Sequence, residues 1–279
     1  MKRIVSYLIA SALLISSCSE SSPESSPAPQ IDSSVVPSTD STLNTEIEEK
    51  LPCLCNSQVI YFEDIEPFVF VKGDQKNSSK LEALAKDQRH LEVKYLELKG
   101  YDSIPVDFYI FENLQHITFR DSRTLRAKNL ENLTEFKALQ SLGFKMSQIK
   151  FDGPEDWMTQ IKHLYGRKTQ LKSLQSFTWF PRLISLDFET SGFTNFPSGI
   201  DSLNCIQFIN FFETREDINQ SEWNFENALC LEYYDFYTSY NTLRGVPYGL
   251  LEKELNHYRI KENGLTEEEK SRNTGIKKK

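Results

Sequence analysis

The side chains of this 279-residue sequence that could do chemistry are few: five cysteines, four histidines and scattered carboxylates. Histidines act as bases or metal ligands when suitable groups lie nearby. His116 and His163 occupy equivalent positions two repeats apart in the pattern described below, a separation of roughly 10 Å that is too large for one shared zinc ion. His90 and His257 stand alone. The sequence has no Gly-rich phosphate loop, nucleophile elbow or HExxH motif, so we expect no enzyme, no metal site and no cofactor.

The N-terminal segment is typical of an exported protein. The basic residues Lys2 and Arg3 precede the apolar stretch Ile4–Ile15, which is too short to span a bilayer and has the length of a signal-peptide core. Residues 15–18 (Ile-Ser-Ser-Cys) then resemble the bacterial lipobox. A plain secretory signal with an incidental cysteine is the alternative.

The lipobox resemblance implies cleavage after residue 17 and attachment of diacylglycerol and a fatty acyl chain such as palmitate to Cys18. Several acyl chains on one residue give stable membrane anchoring. Ser19 in the next position resembles the start of lipoproteins destined for the outer membrane. We therefore expect a lipid-anchored protein of the bacterial cell envelope, facing either the periplasm or the outside.

Residues 18–50 carry the anchor and a linker rich in Ser, Pro and acidic residues, which cannot bury a core and is expected to be a disordered tether. Part of the formal net charge of −8 lies in this linker, and residues 51–279 retain a charge of −4. A general electrostatic attraction to nucleic acid is therefore not expected.

An apolar pattern of the form LxxLxL recurs through the rest of the chain, with successive first residues (the anchors) 21 to 25 positions apart. The anchors are Val93, Leu114, Leu139, Ile161, Leu183, Ile206 and Leu231. Eight positions after the anchor, the last six copies have a hydroxyl residue: Ser122, Ser147, Thr169, Ser191, Thr214 and Ser239. Such side chains can turn inward and hydrogen-bond buried loop backbone. Gly166 breaks the apolar rule and predicts a local weakness in packing.

This pattern resembles the leucine-rich repeat over residues 81–245, with repeat lengths inside the usual range. The resemblance implies an α/β solenoid, with a curved parallel sheet on the concave face and an irregular or helical convex side. A generic α+β domain with chance leucine spacing is the alternative. The predicted divisions are a signal peptide (1–17), the anchor and linker (18–50), an N-terminal cap (51–92), about seven repeats (93–245), a C-terminal capping helix (246–260) and a charged tail (261–279).

The caps are predicted from the segments at each end of the repeats. Residues 57–72 suggest two short strands around Glu66 and Pro67, and residues 80–87 suggest a helical turn or two, which together could cover the first strand edge. At the other end, residues 247–260 suggest an amphipathic helix that begins near Pro247.

Side chains alternate between the two faces of a strand, so residues two, four and six positions after each anchor (the +2, +4 and +6 columns) should lie on the concave face. The residues predicted to form a binding surface there are Tyr95, Lys99, His116, Arg120, Lys145, His163, Tyr165, Arg167, Asp187, Glu189, Phe208, Asn210, Phe212, Tyr233, Asp235 and Tyr237.

Two groups stand out within this surface. One is a basic row, Lys99, Arg120, Lys145 and Arg167, and the other is an aromatic patch, Phe208, Phe212, Tyr233 and Tyr237. Aromatic residues and arginine are enriched in interaction hot spots. The alternatives are an ordinary solvated face for the basic row and coverage by the C-terminal cap for the aromatic patch.

Four cysteines follow Cys18, and an even number in an exported domain suggests disulfides. Cys205 and Cys230 each precede an anchor of adjacent repeats, so they are expected either to pair or to remain two small buried residues. Cys53 and Cys55 are expected to pair with each other or to stay free.

These features favour a monomeric, envelope-anchored module that binds a protein partner through its concave face. A glycan-binding lipoprotein that stacks sugar rings on the aromatic patch is the alternative. An enzyme has the least support, and the sequence does not identify the ligand.

Overall fold

The computed structural model describes residues 55, 66–214, 218–220, 222–237, 243–244, 247–250, 253–260, 267 and 271. They all belong to one unit, residues 50–279. The signal segment, Cys18, the linker, Cys53 and Ser239 lie outside the described residues, as do parts of the predicted N-terminal cap and charged tail.

Each of the seven LxxLxL copies contributes one strand to a large parallel sheet, and one further strand at each end extends the sheet. Its nine strands, in spatial order, are β1 (Phe68–Val71), β2 (Tyr95–Lys99), β3 (His116–Arg120), β5 (Ser141–Lys145), β7 (His163–Arg167), β9 (Ser185–Glu189), β11 (Phe208–Asn210), β13 (Tyr233–Phe236) and β15 (His257–Ile260). Equivalent residues of successive copies face each other, for example Tyr95 and His116. The predicted parallel register and the leucine-rich-repeat solenoid are confirmed.

A small second sheet runs beside the large one, just after the strand ends. Its strands are β4 (Leu125–Arg126), β6 (Gln148–Lys150), β8 (Gln170–Lys172) and β10 (Gly192–Phe193), and β12 (Ile218–Asn219) pairs with β14 (Leu243–Arg244). The chain returns through 3-10 turns at Arg89–Glu92, Val106–Ile110, Ala127–Glu135, Asp156–Gln160, Phe177–Trp179 and Ile200–Ser202. Short 3-10 turns fit the space between closely stacked repeats.

The core lies between the large sheet and the returning segments, and the repeated apolar positions fill it. Phe119 and Phe144, on neighbouring strands, are fully buried and stack with ring centroids 6.3 Å apart. The weakness predicted at Gly166 is absent, because the Phe188 ring occupies the space: a Cβ on Gly166 would lie 2.7 Å from its Cδ1. The missing side chain is therefore replaced by a neighbour.

The strands end in a backbone turn that the repeat pattern did not reveal. The residue seven positions after the anchor has a left-handed conformation in six consecutive copies, with φ between 50° and 76°: Gly100, Asp121, Met146, Lys168, Thr190 and Glu213. Five of these residues are not glycine, although side chains disfavour this region. The turn directs the following hydroxyl residue into the core.

The hydroxyl column acts as predicted, and its described members, Ser122, Ser147, Thr169, Ser191 and Thr214, are all buried. The Ser122 hydroxyl donates to the carbonyl of Tyr101 at 2.6 Å, and that of Thr169 to the carbonyl of Phe144 at 2.8 Å. These bonds satisfy backbone groups of the neighbouring repeat, which are costly to bury unpaired.

At the N-terminal end, helix α1 (Lys76–Lys86) contacts the first strand through its side chains. The edge carbonyls of Val69 and Val71 accept hydrogen bonds from Lys80 Nζ at 2.9 Å and Asn77 Nδ2 at 2.7 Å. The Lys80 ammonium also lies over the Phe70 ring, 4.7 Å from its centroid. Side chains of α1 therefore donate hydrogen bonds to the backbone carbonyls of this strand edge, for which the sequence predicted a cap.

The prediction of a capping helix over residues 246–260 is wrong, because residues 257–260 form β15, paired in parallel with β13. Leu255, Tyr258 and Ile260 are an eighth copy of the LxxLxL pattern. Apolar residues three positions apart suit a helix turn as well as this strand, and the sheet hydrogen bonds decide in favour of the strand.

The predicted Cys205–Cys230 pair is also wrong. Cys230 forms a disulfide with Cys55, with a Cα–Cα distance of 4.9 Å, and Cys205 is bonded to a cysteine other than Cys230. Spacing within the repeats cannot reveal a bond to a segment 175 residues away. The bond ties the region preceding the repeats to the repeat that contains β13.

Candidate binding surface

The face of the large sheet that points away from the core, called the outer face here, is mostly buried. The +2 and +4 residues that are at most 6 % exposed are Tyr95, Glu97, His116, Thr118, Ser141, His163, Tyr165, Ser185, Phe208 and Asp235. Asp187, Asn210 and Tyr233 are half-buried. Most of the +2 and +4 side chains of the predicted binding surface are therefore buried, and only part of that surface is open to solvent.

A cluster of hydroxyl groups covers the middle of the outer face. The Tyr165 side chain lies across Gly143, whose hypothetical Cβ would be 1.8 Å from Tyr165 Cζ. Its hydroxyl contacts the Thr118 hydroxyl and lies 3.2 Å from that of Tyr95. Gly143 thus has a packing role that its place in the +4 column did not suggest.

A buried polar row, His116, Ser141 and His163, runs beside this cluster on three neighbouring strands. Burial, with a smaller contribution from nearby Lys94, lowers the pKa of His116 to about 4. Burial, with smaller contributions from His116 and Lys162, also lowers the pKa of His163 to about 4. Both imidazoles are therefore neutral at pH 7. Ser141 Oγ and His163 Nδ1 make no hydrogen bond within the described residues, so the row contains no hydrogen-bonded nucleophile–base pair.

The +6 column contains no fully buried residue, and we call it the carboxyl edge. It consists of Lys99, Arg120, Lys145, Arg167, Glu189, Phe212 and Tyr237, all half-buried or exposed. Because these residues stand at the strand ends, their side chains lie beyond the largely buried +2 and +4 columns.

The basic row of the carboxyl edge is not an uncompensated positive stripe, because carboxylates are interleaved with it. The buried Glu97 side chain pairs with Arg120 at 3.1 Å and with Lys145 at 3.7 Å. Lys99 pairs with Asp121 at 3.5 Å, and Arg167 pairs with Glu189 at 3.3 Å. The four cations are therefore held in place by three carboxylates.

The aromatic patch has its ring faces largely occupied. Phe208 stacks on Tyr233 with centroids 4.1 Å apart, and Tyr233 stacks on His257 at 4.3 Å. The Arg259 guanidinium lies over Phe212 and Tyr237, 5.0 and 4.9 Å from their centroids. The patch is thus part of a stack that β15 continues. This agrees in part with the alternative interpretation, in which the C-terminal segment covers the patch.

The buried carboxylate of Asp235 anchors this stack. It accepts hydrogen bonds from Arg259 Nη2 at 2.6 Å and Nε at 3.0 Å, and it lies 3.1 Å from His257 Nε2. The Asp235 hydrogen bond raises the pKa of Arg259. The sequence analysis missed Arg259 and the role of His257, because it assigned their segment to a helix. The signal that could have revealed them is the apolar spacing of Leu255, Tyr258 and Ile260.

Within the described ranges, the structure groups no three His, Cys, Asp or Glu side chains in a way that could hold a metal ion. Among the same residues, no helix combines the length and apolar character needed to cross a membrane.

No protein-family model matches the chain. No curated protein sequence matches it either. Among solved structures, the chain is similar to a leucine-rich-repeat protein of Leptospira interrogans, with 15 % sequence identity and a TM-score of 0.44. The similarity covers 75 % of this chain and 58 % of that one, so it spans less than two thirds of the Leptospira chain.

Proposed function

We propose that the protein is a binding module that contacts a protein partner through the carboxyl edge. The observation that carries this proposal is the difference between the columns of the outer face: most +2 and +4 residues are buried, whereas every +6 residue is half-buried or exposed. A rigid, filled platform with an exposed border suits a large complementary surface better than a small molecule, which needs a concave pocket.

The side chains at the edge support a protein partner. Arg259 is held by Asp235 and lies on Phe212 and Tyr237, so an arginine and two aromatic rings are already in fixed positions. Fixed side chains lose little conformational entropy on binding, and these residue types dominate interface hot spots.

The same contacts argue against the glycan alternative. Sugar rings stack on open aromatic faces, whereas Phe208, Tyr233 and His257 stack on one another and Arg259 lies over the remaining pair of rings. A protein surface can use the exposed ring edges and the guanidinium without breaking these contacts.

Anchoring in the bacterial envelope is part of the proposal. It is supported by the basic start, the short apolar stretch and the Ile-Ser-Ser-Cys sequence that ends at Cys18. Labelled palmitate should be incorporated into the full-length protein but not into the Cys18→Ser variant. Equal incorporation into both would contradict lipidation at this residue.

The partner can be sought by photo-crosslinking in intact cells. A photoreactive amino acid at Lys145 or Phe212, both on the carboxyl edge, should capture the same protein. A matched control at Lys128 or Lys137, exposed near the 3-10 turn Ala127–Glu135, should not capture it. Capture from the control positions alone would contradict the assignment of the edge.

A further inference from the structure

A second basic row lies on the exposed face of the small sheet, and the repeat pattern gave no indication of it. Arg126, Lys150 and Lys172 stand on β4, β6 and β8, with Arg126 directly opposite Lys150 and Lys150 directly opposite Lys172. Like charges directly opposite one another destabilise a sheet. The row therefore carries a repulsion that an anion would relieve.

Ion pairs within the described structure compensate only part of this repulsion. Asp152 pairs with Arg126 at 2.9 Å and with Lys150 at 3.2 Å. Lys172 donates to the neutral Gln148 side chain at 3.0 Å, and in the part of the chain that the structure describes it forms no ion pair. Lys168, on the left-handed turn beside the row, is exposed and likewise has no described ion pair.

Four cations here face one carboxylate, whereas the four cations of the carboxyl edge are interleaved with three. The excess positive charge of this region therefore lies on the small sheet and not on the row that the sequence singled out. Lys168 directly follows Arg167 of the carboxyl edge, so the two rows form one continuous surface.

We propose that Arg126, Lys150, Lys168 and Lys172, called the small-sheet row here, bind an acidic segment of the protein partner. This inference rests on the proposed function, because a partner seated on the carboxyl edge reaches the row across the single turn at Lys168. The uncompensated cations provide the charge complementarity that steers and orients such a segment.

The surroundings favour a short acidic polypeptide over an extended polyanion. Three strands span only about 10 Å, so the row matches a few carboxylates. Acidic side chains, among them Glu131, Glu155 and Asp156, line a depression beside the 3-10 turns, and residues 51–279 have a formal charge of −4. A large polyanion or an anionic membrane would be repelled by this wider field.

The test uses the full chain and a fluorescein-labelled peptide of alternating Glu and Ser, about twelve residues or ~40 Å long when extended, with binding followed by fluorescence anisotropy. The triple variant Lys150→Glu, Lys168→Glu, Lys172→Glu reverses the row but keeps the Arg126–Asp152 pair. The matched control Lys94→Glu, Lys128→Glu, Lys137→Glu makes the same charge change at exposed sites outside both rows. A peptide of alternating Gln and Ser tests for charge dependence.

We expect the Glu/Ser peptide to bind, the row variant to weaken binding about tenfold or more, as the loss of ~1.4 kcal/mol or more implies, and the control to have little effect. No binding to the unmodified chain, or equal weakening by both variants, would overturn the inference. The inference would also be overturned if heparin or phosphatidylserine vesicles bound and the peptide did not, and if the row variant weakened that binding.

Failure of the inference and failure of the proposed function remain distinguishable. If a protein partner crosslinks from the carboxyl edge and binds the row variant as tightly as the unmodified chain, the small-sheet row does not contact the partner. The carboxyl edge still does. If nothing crosslinks from the edge, the proposed function itself fails.

Discussion

The buried histidines of the outer face predict a specific loss of stability in mild acid. His116 and His163 are each 2 % exposed, and the pKa of each is lowered from 6.5 to about 4 in the folded protein, mainly by burial. In the unfolded chain each imidazole takes up a proton near its ordinary pKa of about 6.5. The unfolded state therefore binds more protons between pH 6.5 and 4, and the free energy of unfolding falls as the pH falls through that window.

The size of the effect follows from the two pKa values. Between pH 7 and pH 4.5, the linkage amounts to about 2–2.5 kcal/mol for each histidine and about 5 kcal/mol for the pair. Below pH 4 the contribution becomes constant, because both states are then protonated. Carboxylates titrate in the same range, so the histidine contribution has to be isolated by substitution.

The assay is urea unfolding at pH 7 and at pH 4.5 without reductant, for the unmodified chain, the single variants His116→Gln and His163→Gln, and the double variant. The double variant should lose about 5 kcal/mol less than the unmodified chain over this interval, and each single variant about half of that difference. Because each comparison is made within one variant, a change in stability at pH 7 does not affect it. Parallel losses in the unmodified chain and the double variant would refute the reasoning.

Three further changes test the packing. Gly143→Ala should destabilise the protein by about 1–3 kcal/mol, because the new Cβ would overlap the Tyr165 ring; a second change, Tyr165→Ala, should reduce that loss in urea unfolding, and no reduction would contradict the assigned contact. Thr190→Gly should stabilise by about 1 kcal/mol, because a β-branched residue has a φ of 53° there; an unchanged or lower melting temperature would count against this. Asp235→Asn should weaken β15 by about 2–3 kcal/mol, because Arg259 loses its carboxylate; hydrogen exchange of residues 257–260 should rise, and an unchanged rate would contradict the role of this pair.

Spacing alone predicted the sheet and its register, because side-chain direction in a strand follows from position. The hydroxyl column could also be predicted, since Ser122 and its equivalents are the polar residues that follow the buried strand positions. Strand β15 could not be separated from a helix by periodicity, because apolar residues three positions apart, such as Leu255 and Tyr258, are compatible with both structures. There, hydrogen bonding to β13 decides the structure.

The state of the outer face was beyond sequence reasoning for a different reason. Whether a side chain that points away from the core is exposed depends on how far its neighbours reach, and Tyr165 lies across the strand that contains Gly143. The ion pairs of Glu97 likewise join strands that are distant in the chain. The disulfide between Cys55 and Cys230 spans 175 residues, and no local pattern indicates it.

The most direct test of the proposed function is the affinity of the crosslinked partner for two variants of the full chain. Phe212→Ala, Tyr237→Ala removes the two rings of the carboxyl edge, and the control Lys94→Gln, Lys128→Gln changes two exposed side chains away from it. Loss of hot-spot residues should weaken binding at least about thirtyfold, which corresponds to ~2 kcal/mol, and the control should bind within about twofold of the unmodified chain. Equal affinity of the edge variant and the control would contradict the claim that the carboxyl edge is the binding surface.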